Sequence, residues 1–553
     1  MFHVEHFILK NKKLFMKIYG QLVDIHKRDI FPAALTFLNG KIKAVERIEF
    51  APDLFIMPGL TDAHIHIESS MITPGAFAMA AVKHGTCNVV SDPHEIANVM
   101  GMQGIDFMLN DAEKVPLNFF FGAPSCVPAT DFESNGATLD SKDVNKLLKR
   151  NEIHYLSEMM NFPGVINGDP EVIGKIDYAK KSGKPVDGHA PGLSGESLRK
   201  YVAAGITTDH ECSSLDEALE KISLGMKILI REGSAARNLN SLKDLFHSNP
   251  EKVMLCSDDL HPEMLQKRHI NKLIAGLISE GFDKFDVIRS ATINPSNHYN
   301  LNAGLLRPGE KADFILVDSL EKMNIIETWI KGQKVFSGGK VLFNYKAPEA
   351  VNNFNCKPII EKDIQVRNTD RKIRIITAKE GELLTGEEYL LPSKSEFISC
   401  DTISDILKIV VKDRYKDSAP SIGFIKGFGL KRGAFASSIA HDSHNIISVG
   451  TNDNDILNAI NEVVRMKGGL SVCSGEEKKS LKLDIGGIMT TRSCDEIAAD
   501  YDDLNKLTGL LGCTMRAPFM TLSFMALLVI PDLKIGDRGL FDVRKFVRVS
   551  LFV

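Results

Sequence analysis

The stretch FIMPGLTDAHIHIESS, Phe55 to Ser70, ends an apolar run in two histidines, His64 and His66, with Glu68 two residues further on. In an extended strand, residues i and i+2 point to one side. Two neutral imidazoles on one side can grip zinc, manganese or iron. Taken alone, H-x-H is more commonly a pair of half-buried histidines bonded to their neighbours. The rest of the chain decides between the two.

Seven more short runs end in polar residues: GTCNVVSDPHE, NFFFGAPSCVP, IHYLSEMM, KPVDGHA, GITTDHE, MKILIREGS and KVMLCSDD. Segments of helical spacing lie between them, among them SKDVNKLLKR (141–150), GESLRKYVAAG (195–205), SLDEALEKISLG (214–225) and SLKDLFHSN (241–249). This is a β-α alternation repeated eight times, which predicts a parallel sheet closed as a (β/α)8 barrel. A doubly wound open sheet is the alternative, but no G-x-G-x-x-G follows the first strand.

The barrel is expected over 57–303. Residues 1–56 and 304–345 read as short strands and turns, and the simplest arrangement is one small β-domain split between both flanks. A linker is expected over 346–362, and an additional C-terminal α/β domain over 363–553.

The strand ends carry His64, His66, His94, Glu158, His189, His210, Arg231, and Asp258 with Asp259. Parallel barrel strands bring their C-terminal ends to one face. Four histidines and two carboxylates gathered there suit two divalent cations sharing a water. Glu158 would bridge them, and either Asp258 or its neighbour Asp259 would be the last ligand. The implied chemistry is hydrolytic attack at an electrophilic carbon. No nicotinamide, flavin or P-loop fingerprint is present.

The bulk properties agree. The chain has 553 residues, 44% hydrophobic and 25% charged, with a formal net charge of -4. No basic cluster points to nucleic acid. Nine scattered cysteines without a C-x-x-C pair argue against a disulfide framework and a zinc knuckle and fit a reducing compartment. The first twenty residues make a poor signal peptide, and the most apolar run, FMTLSFMALLVIP (519–531), is too short to span a bilayer. A cytoplasmic protein is expected, with no membrane partner.

PGLTDAHIHIESS resembles the strand-one signature of the amidohydrolase superfamily, and a barrel with a split β-domain resembles that superfamily too. HIESSMITP, SDPHEIANV, GHAPGLSG, CSDDLHP, LRPGEKADF, AHDSHNII and PFMTLSFMALLVIPDLK are similar to segments of one branch, the adenine deaminases. The likeness runs over nearly the whole chain.

It implies His64, His66, His189, His210 and Asp258 as ligands, with Glu158 where other members carry a carbamylated lysine. It implies two cations per subunit, manganese or iron rather than zinc, and hydrolytic deamination of adenine to hypoxanthine and ammonia by a metal-activated hydroxide. Asp258 would move the proton. Glu68, His94, Glu95, Glu211, Arg231, His441 and His444 are expected to contact substrate, the last two by folding over the barrel mouth. A homo-oligomer, dimer or higher, is expected. The rival readings are a cyclic-amide hydrolase on the same scaffold, which a lysine in place of Glu158 would favour, and a non-catalytic scaffold, which would have lost its ligands. The P-C-x-x-C half of the cytidine-type deaminase signature is absent.

Overall fold

A computed structural model describes residues 5–8, 14–380 and 382–553. Part of the N-terminal stretch read above for a leader lies outside the described residues.

The eight expected strands form the barrel: β1 (Leu60–Ile65), β2 (Thr86–Ser91), β3 (Asn118–Ala123), β4 (Ile153–Met159), β5 (Val186–Gly188), β6 (Thr208–Asp209), β7 (Lys227–Arg231) and β8 (Val253–Cys256). All pairings are parallel, within one arc from β1 to β5 and a second from β6 to β8. The arcs join at both seams. Thr207 N donates to Val186 O at 2.9 Å, and Asp258 N donates to His64 O at 2.9 Å. Ala63, Val90, Phe120, Tyr155, Leu229 and Met254, from six of the strands, pack into one apolar cluster.

Helices return the chain between strands, and their ends follow local chemistry. The helix Leu215–Ser223 starts at Ser214, whose side chain accepts from Glu217 N, and Gly205 closes Gly195–Ala204 at φ 118°. SLKDLFHSN departs from expectation. It forms two short turns of helix, Leu239–Leu242 and Leu245–Ser248, because Phe246 N and His247 N bond three residues back, to Lys243 O and Asp244 O.

The opening apolar run is two strands. Phe55–Pro58 pairs antiparallel with Phe314–Val317 and parallel with Leu14–Asp24, so it belongs to a sheet built from both flanks, and β1 starts beyond Gly59. Phe37, Phe314 and Trp329 meet in that sheet's core.

Beyond an irregular stretch, an eight-stranded sheet runs from Ile373–Thr377 to Glu477–Lys482, flanked by the helices Asp453–Met466 and Cys494–Leu510. Its core and the barrel's outer core are one continuous cluster. Polar ties add to this. Thr490 N donates to Met71 O at 2.9 Å, and Asn445 Nδ2 donates to Ser134 O at 2.8 Å. FMTLSFMALLVIP is buried here, with one helix at Pro518–Phe524. Among the described residues, no helix is long and apolar enough to cross a membrane.

Candidate active site

The strand ends do converge. Glu158, late in β4, sits at the centre and divides its carboxylate. Oε2 lies 3.0 Å from His189 Nδ1 and 3.0 Å from His210 Nε2. Oε1 lies 3.5 Å from His66 Nε2. On the far side Asp258 Oδ1 is 3.2 Å from His66 Nε2 and 3.6 Å from His64 Nε2. The His64 and His210 rings stack at 4.3 Å. All six side chains are buried.

Buried groups hold this arrangement from behind. Asp62 accepts from Ser257 N at 3.0 Å and from His269 Nε2 at 2.9 Å, which locks β1 to the end of β8. The Tyr201 hydroxyl accepts from His189 N and donates to Met159 O, tying β5 to β4. Asn238 accepts from Arg231 N and donates to His210 O. Lys221, wholly buried, bonds Asp209 and the Ala190 carbonyl beneath the two histidines. A sequence signal existed for Asp62 and Asp209, each next to or near a site histidine, but not for the distant partners.

The electrostatics follow from these contacts. Burial alone would raise the Asp258 carboxyl; the Arg231 charge and the neighbouring His64 and His66 imidazoles outweigh it and hold it well below the usual range. Burial likewise opposes ionisation of Glu158, and the flanking His210 and His189 win. Burial and the adjacent Asp258 charge push Asp259 up.

The pocket over this centre has a polar floor and an apolar roof. Its floor includes His94, Glu95, Glu211, Arg231, Asp259, His441 and Asp442; Leu383, Phe524, Leu527 and Ile530 come down from the C-terminal region. Arg231 pairs with Glu211 and Asp258, not with its neighbour Glu232. His94 opens the helix His94–Met100 beyond β2, and its Nδ1 bonds Asp92 Oδ2 at 3.0 Å. His441 and Asp442 lie in the loop between Ala434–Ser437 and Ile446–Gly450.

Two expected substrate contacts fall elsewhere. Glu68 does not share the strand face of His64, because the strand ends at Ile65 and Ile67–Ser70 is a tight helical turn. Its Oε1 accepts from Ile96 N at 3.2 Å, and burial pushes its carboxyl up to about 7. His444 lies behind the pocket wall, against Glu95.

Barrel, split sheet and strand-end histidines together define a member of the amidohydrolase family, whose model matches residues 55–335. Within it the chain belongs to the adenine deaminase family: the adenine deaminase C-terminal domain model matches 382–547. An adenine deaminase of Methanosarcina barkeri is 52% identical over 96% of this chain and 98% of its own. Those of Salinibacter ruber, at 48% over 97% and 99%, and Borreliella burgdorferi, at 45% over 97% and 99%, are also similar. Among solved structures, a beta-aspartyl dipeptidase from Fervidobacterium islandicum AW-1 aligns with a TM-score of 0.46 and 16% identity, over 59% of this chain and 98% of that one.

Proposed function

We propose that this protein is a hydrolytic adenine deaminase, converting adenine and water to hypoxanthine and ammonia. The observation that carries the reading is the divided carboxylate of Glu158, between His66 on one side and His189 with His210 on the other. The full-length relatives named adenine deaminase support it.

The residues suit a pair of divalent cations. Donor atoms 3.0–3.6 Å apart are spaced like the edges of a coordination shell with bonds of about 2.0–2.2 Å. Both ring nitrogens of His64 and Nε2 of His189 are buried with no hydrogen-bond partner. We assign His64, His66, Glu158, His189, His210 and Asp258 as ligands. Held by these six residues, a pair of divalent cations would acidify a water and offset the negative charge that develops as its oxygen attacks.

Other residues handle substrate and proton. The apolar roof and polar floor suit a flat heterocycle, which buries its faces and presents its edges. Asp258, kept ionised, takes the proton from the attacking water and passes it to the departing amino group. Glu211, clasped by Arg231, accepts an N–H of the purine ring. Closure by the C-terminal region excludes bulk water. We further propose manganese or iron as the metal, a homo-oligomeric assembly and a cytoplasmic location.

The test is direct. Protein loaded with manganese should change the ultraviolet spectrum of adenine to that of hypoxanthine. Hydrolysis of a hydantoin or dihydropyrimidine with no turnover of adenine would overturn the assignment. No contact in the site favours that second reading, since β4 offers Glu158 and not a lysine.

A further inference from the structure

Beside the six proposed ligands lies a second knot of imidazoles and carboxylates. His94 and Glu95 come from the barrel, at the start of the helix after β2; His441 and Asp442 come from the C-terminal loop. All four are at most 4% exposed. Glu95 Oε1 lies 2.7 Å from His441 Nδ1 and 3.7 Å from His94 Nε2. Asp442 Oδ1 lies 3.8 Å from His94 Nε2 and 3.7 Å from His441 Nδ1. His444 rests against the other Glu95 oxygen.

We propose that His94, Glu95, His441 and Asp442 hold a third divalent cation, which pins the C-terminal region to the barrel mouth. Four considerations lead there.

The first is charge. The ion-pair partners of these two buried carboxylates are imidazoles, and among the described residues no lysine or arginine pairs with either. Buried carboxylates without such a partner are costly unless a cation compensates them. The second is an unmet acceptor: Asp442 Oδ2 is buried with no hydrogen-bond partner.

The third is geometry. Ligand bonds of about 2.1 Å in a tetrahedral shell put donor atoms roughly 3.4 Å apart. Three of the four separations are a few tenths longer, and the fourth is a hydrogen bond that an entering cation would replace. The fourth consideration is tautomer. Asp92 takes the Nδ1 proton of His94, which leaves the Nε2 lone pair aimed at Glu95 and Asp442. A carboxylate behind a histidine in this way is how proteins set a metal ligand. Two nitrogens and two oxygens suit manganese, iron or zinc better than calcium or magnesium.

This site uses none of the six residues assigned to the hydrolytic pair, so the two readings can fail separately. The full-length protein should be loaded with manganese, desalted and analysed for metal per chain. Its crystals should be examined for anomalous scattering at the manganese edge. The expected result is three ions per chain, with one peak within bonding distance of Glu95 Oε1 and Asp442 Oδ1. The double variant H441Q/D442N should bind one ion fewer and unfold at a lower temperature. E158Q should lose ions from the pair and keep the third peak. Two ions per chain with no peak between Glu95 and Asp442 would overturn the proposal and leave the pair standing. A peak there with none around Glu158 would support the third site and overturn the pair.

Discussion

Arg231 Nη1 donates to Asp258 Oδ2 at 2.6 Å, while the same guanidinium clasps Glu211 through both amino groups. The pairing leaves Asp258 Oδ1 free to face His64 and His66. It also sets the charge of Asp258, because burial would otherwise push that carboxyl up. Arg231→Gln removes the charge that holds it down, so Asp258 picks up its proton at a higher pH. The acid limb of the kcat/KM profile should therefore move to higher pH. At neutral pH kcat/KM should fall on the order of tenfold to a hundredfold, about 1.4–2.7 kcal/mol of transition-state stabilisation. Arg231→Lys should recover part of the loss without the two-pronged clasp. An unshifted acid limb in Arg231→Gln would show that Arg231 does not tune Asp258.

Glu158 is the joint of the proposed metal pair. Glu158→Gln keeps the shape and loses the charge that both sides share. Activity should fall by about a hundredfold or more, with a matching loss of bound metal. Chelation of the unmodified protein should abolish turnover and lower the unfolding temperature, since a ligand bound only by the folded state stabilises it. Manganese or iron(II) added back should restore both. Full activity after exhaustive removal of metal would contradict the metal-dependent reading.

Asp258 and Asp259 stand side by side in the pocket but are held differently. Asp258 meets the histidines and Arg231; Asp259 Oδ1 accepts from Ser69 Oγ at 2.5 Å. Asp258→Asn should lower kcat by about a hundredfold or more, because an amide cannot take a proton from water. Asp259→Asn keeps an oxygen for Ser69 and should cost less than about tenfold. Steady-state kinetics of the two variants would decide it, and the reverse order would move the proton-transfer role to Asp259.

The barrel was legible because its signal is repetition. Eight apolar runs, seven of them closed by a chemically distinctive residue, leave few other folds. The six residues proposed as ligands could be picked out for the same reason: each lies within two residues of a strand end. Glu68 was misplaced because the pattern assumed continued extension, whereas Met71, at φ 60°, ends a helical turn instead. The roof of the pocket was invisible. No local pattern marks Leu383 or Phe524, and what makes them a roof is long-range packing of one region on another. Buried partners such as Lys221 and Asn238 carry no local pattern, since their work depends on contacts that only the closed fold creates.

Lys534 shows how that roof is held. It is wholly buried, and its Nζ donates to Leu383 O at 2.6 Å and to Phe524 O at 3.0 Å. Both residues contribute to the pocket roof. Burial lowers the Lys534 ammonium to about 7, with Asp532 offsetting only part of the effect. The ordinary value is 10.5. Between those two values the unfolded chain binds a proton that the folded chain does not, so stability should rise with pH by up to about 1.4 kcal/mol per unit. The gain should be absent below about pH 7 and complete above about 10.5. Lys534→Met removes the titrating group, so its stability should rise less steeply than that of the unmodified protein when denaturant unfolding is compared at pH 7.5, 8.5 and 9.5. The substitution also removes the Nζ donor from the Leu383 and Phe524 carbonyls, of which Phe524 O keeps a bond from Leu527 N at 3.2 Å. With the roof loosened, KM for adenine should rise several-fold while kcat changes less, because Lys534 touches none of the six residues proposed as ligands. Parallel pH slopes for the two proteins would rule out a buried, depressed lysine, and an unchanged KM would separate Lys534 from the pocket it is proposed to support.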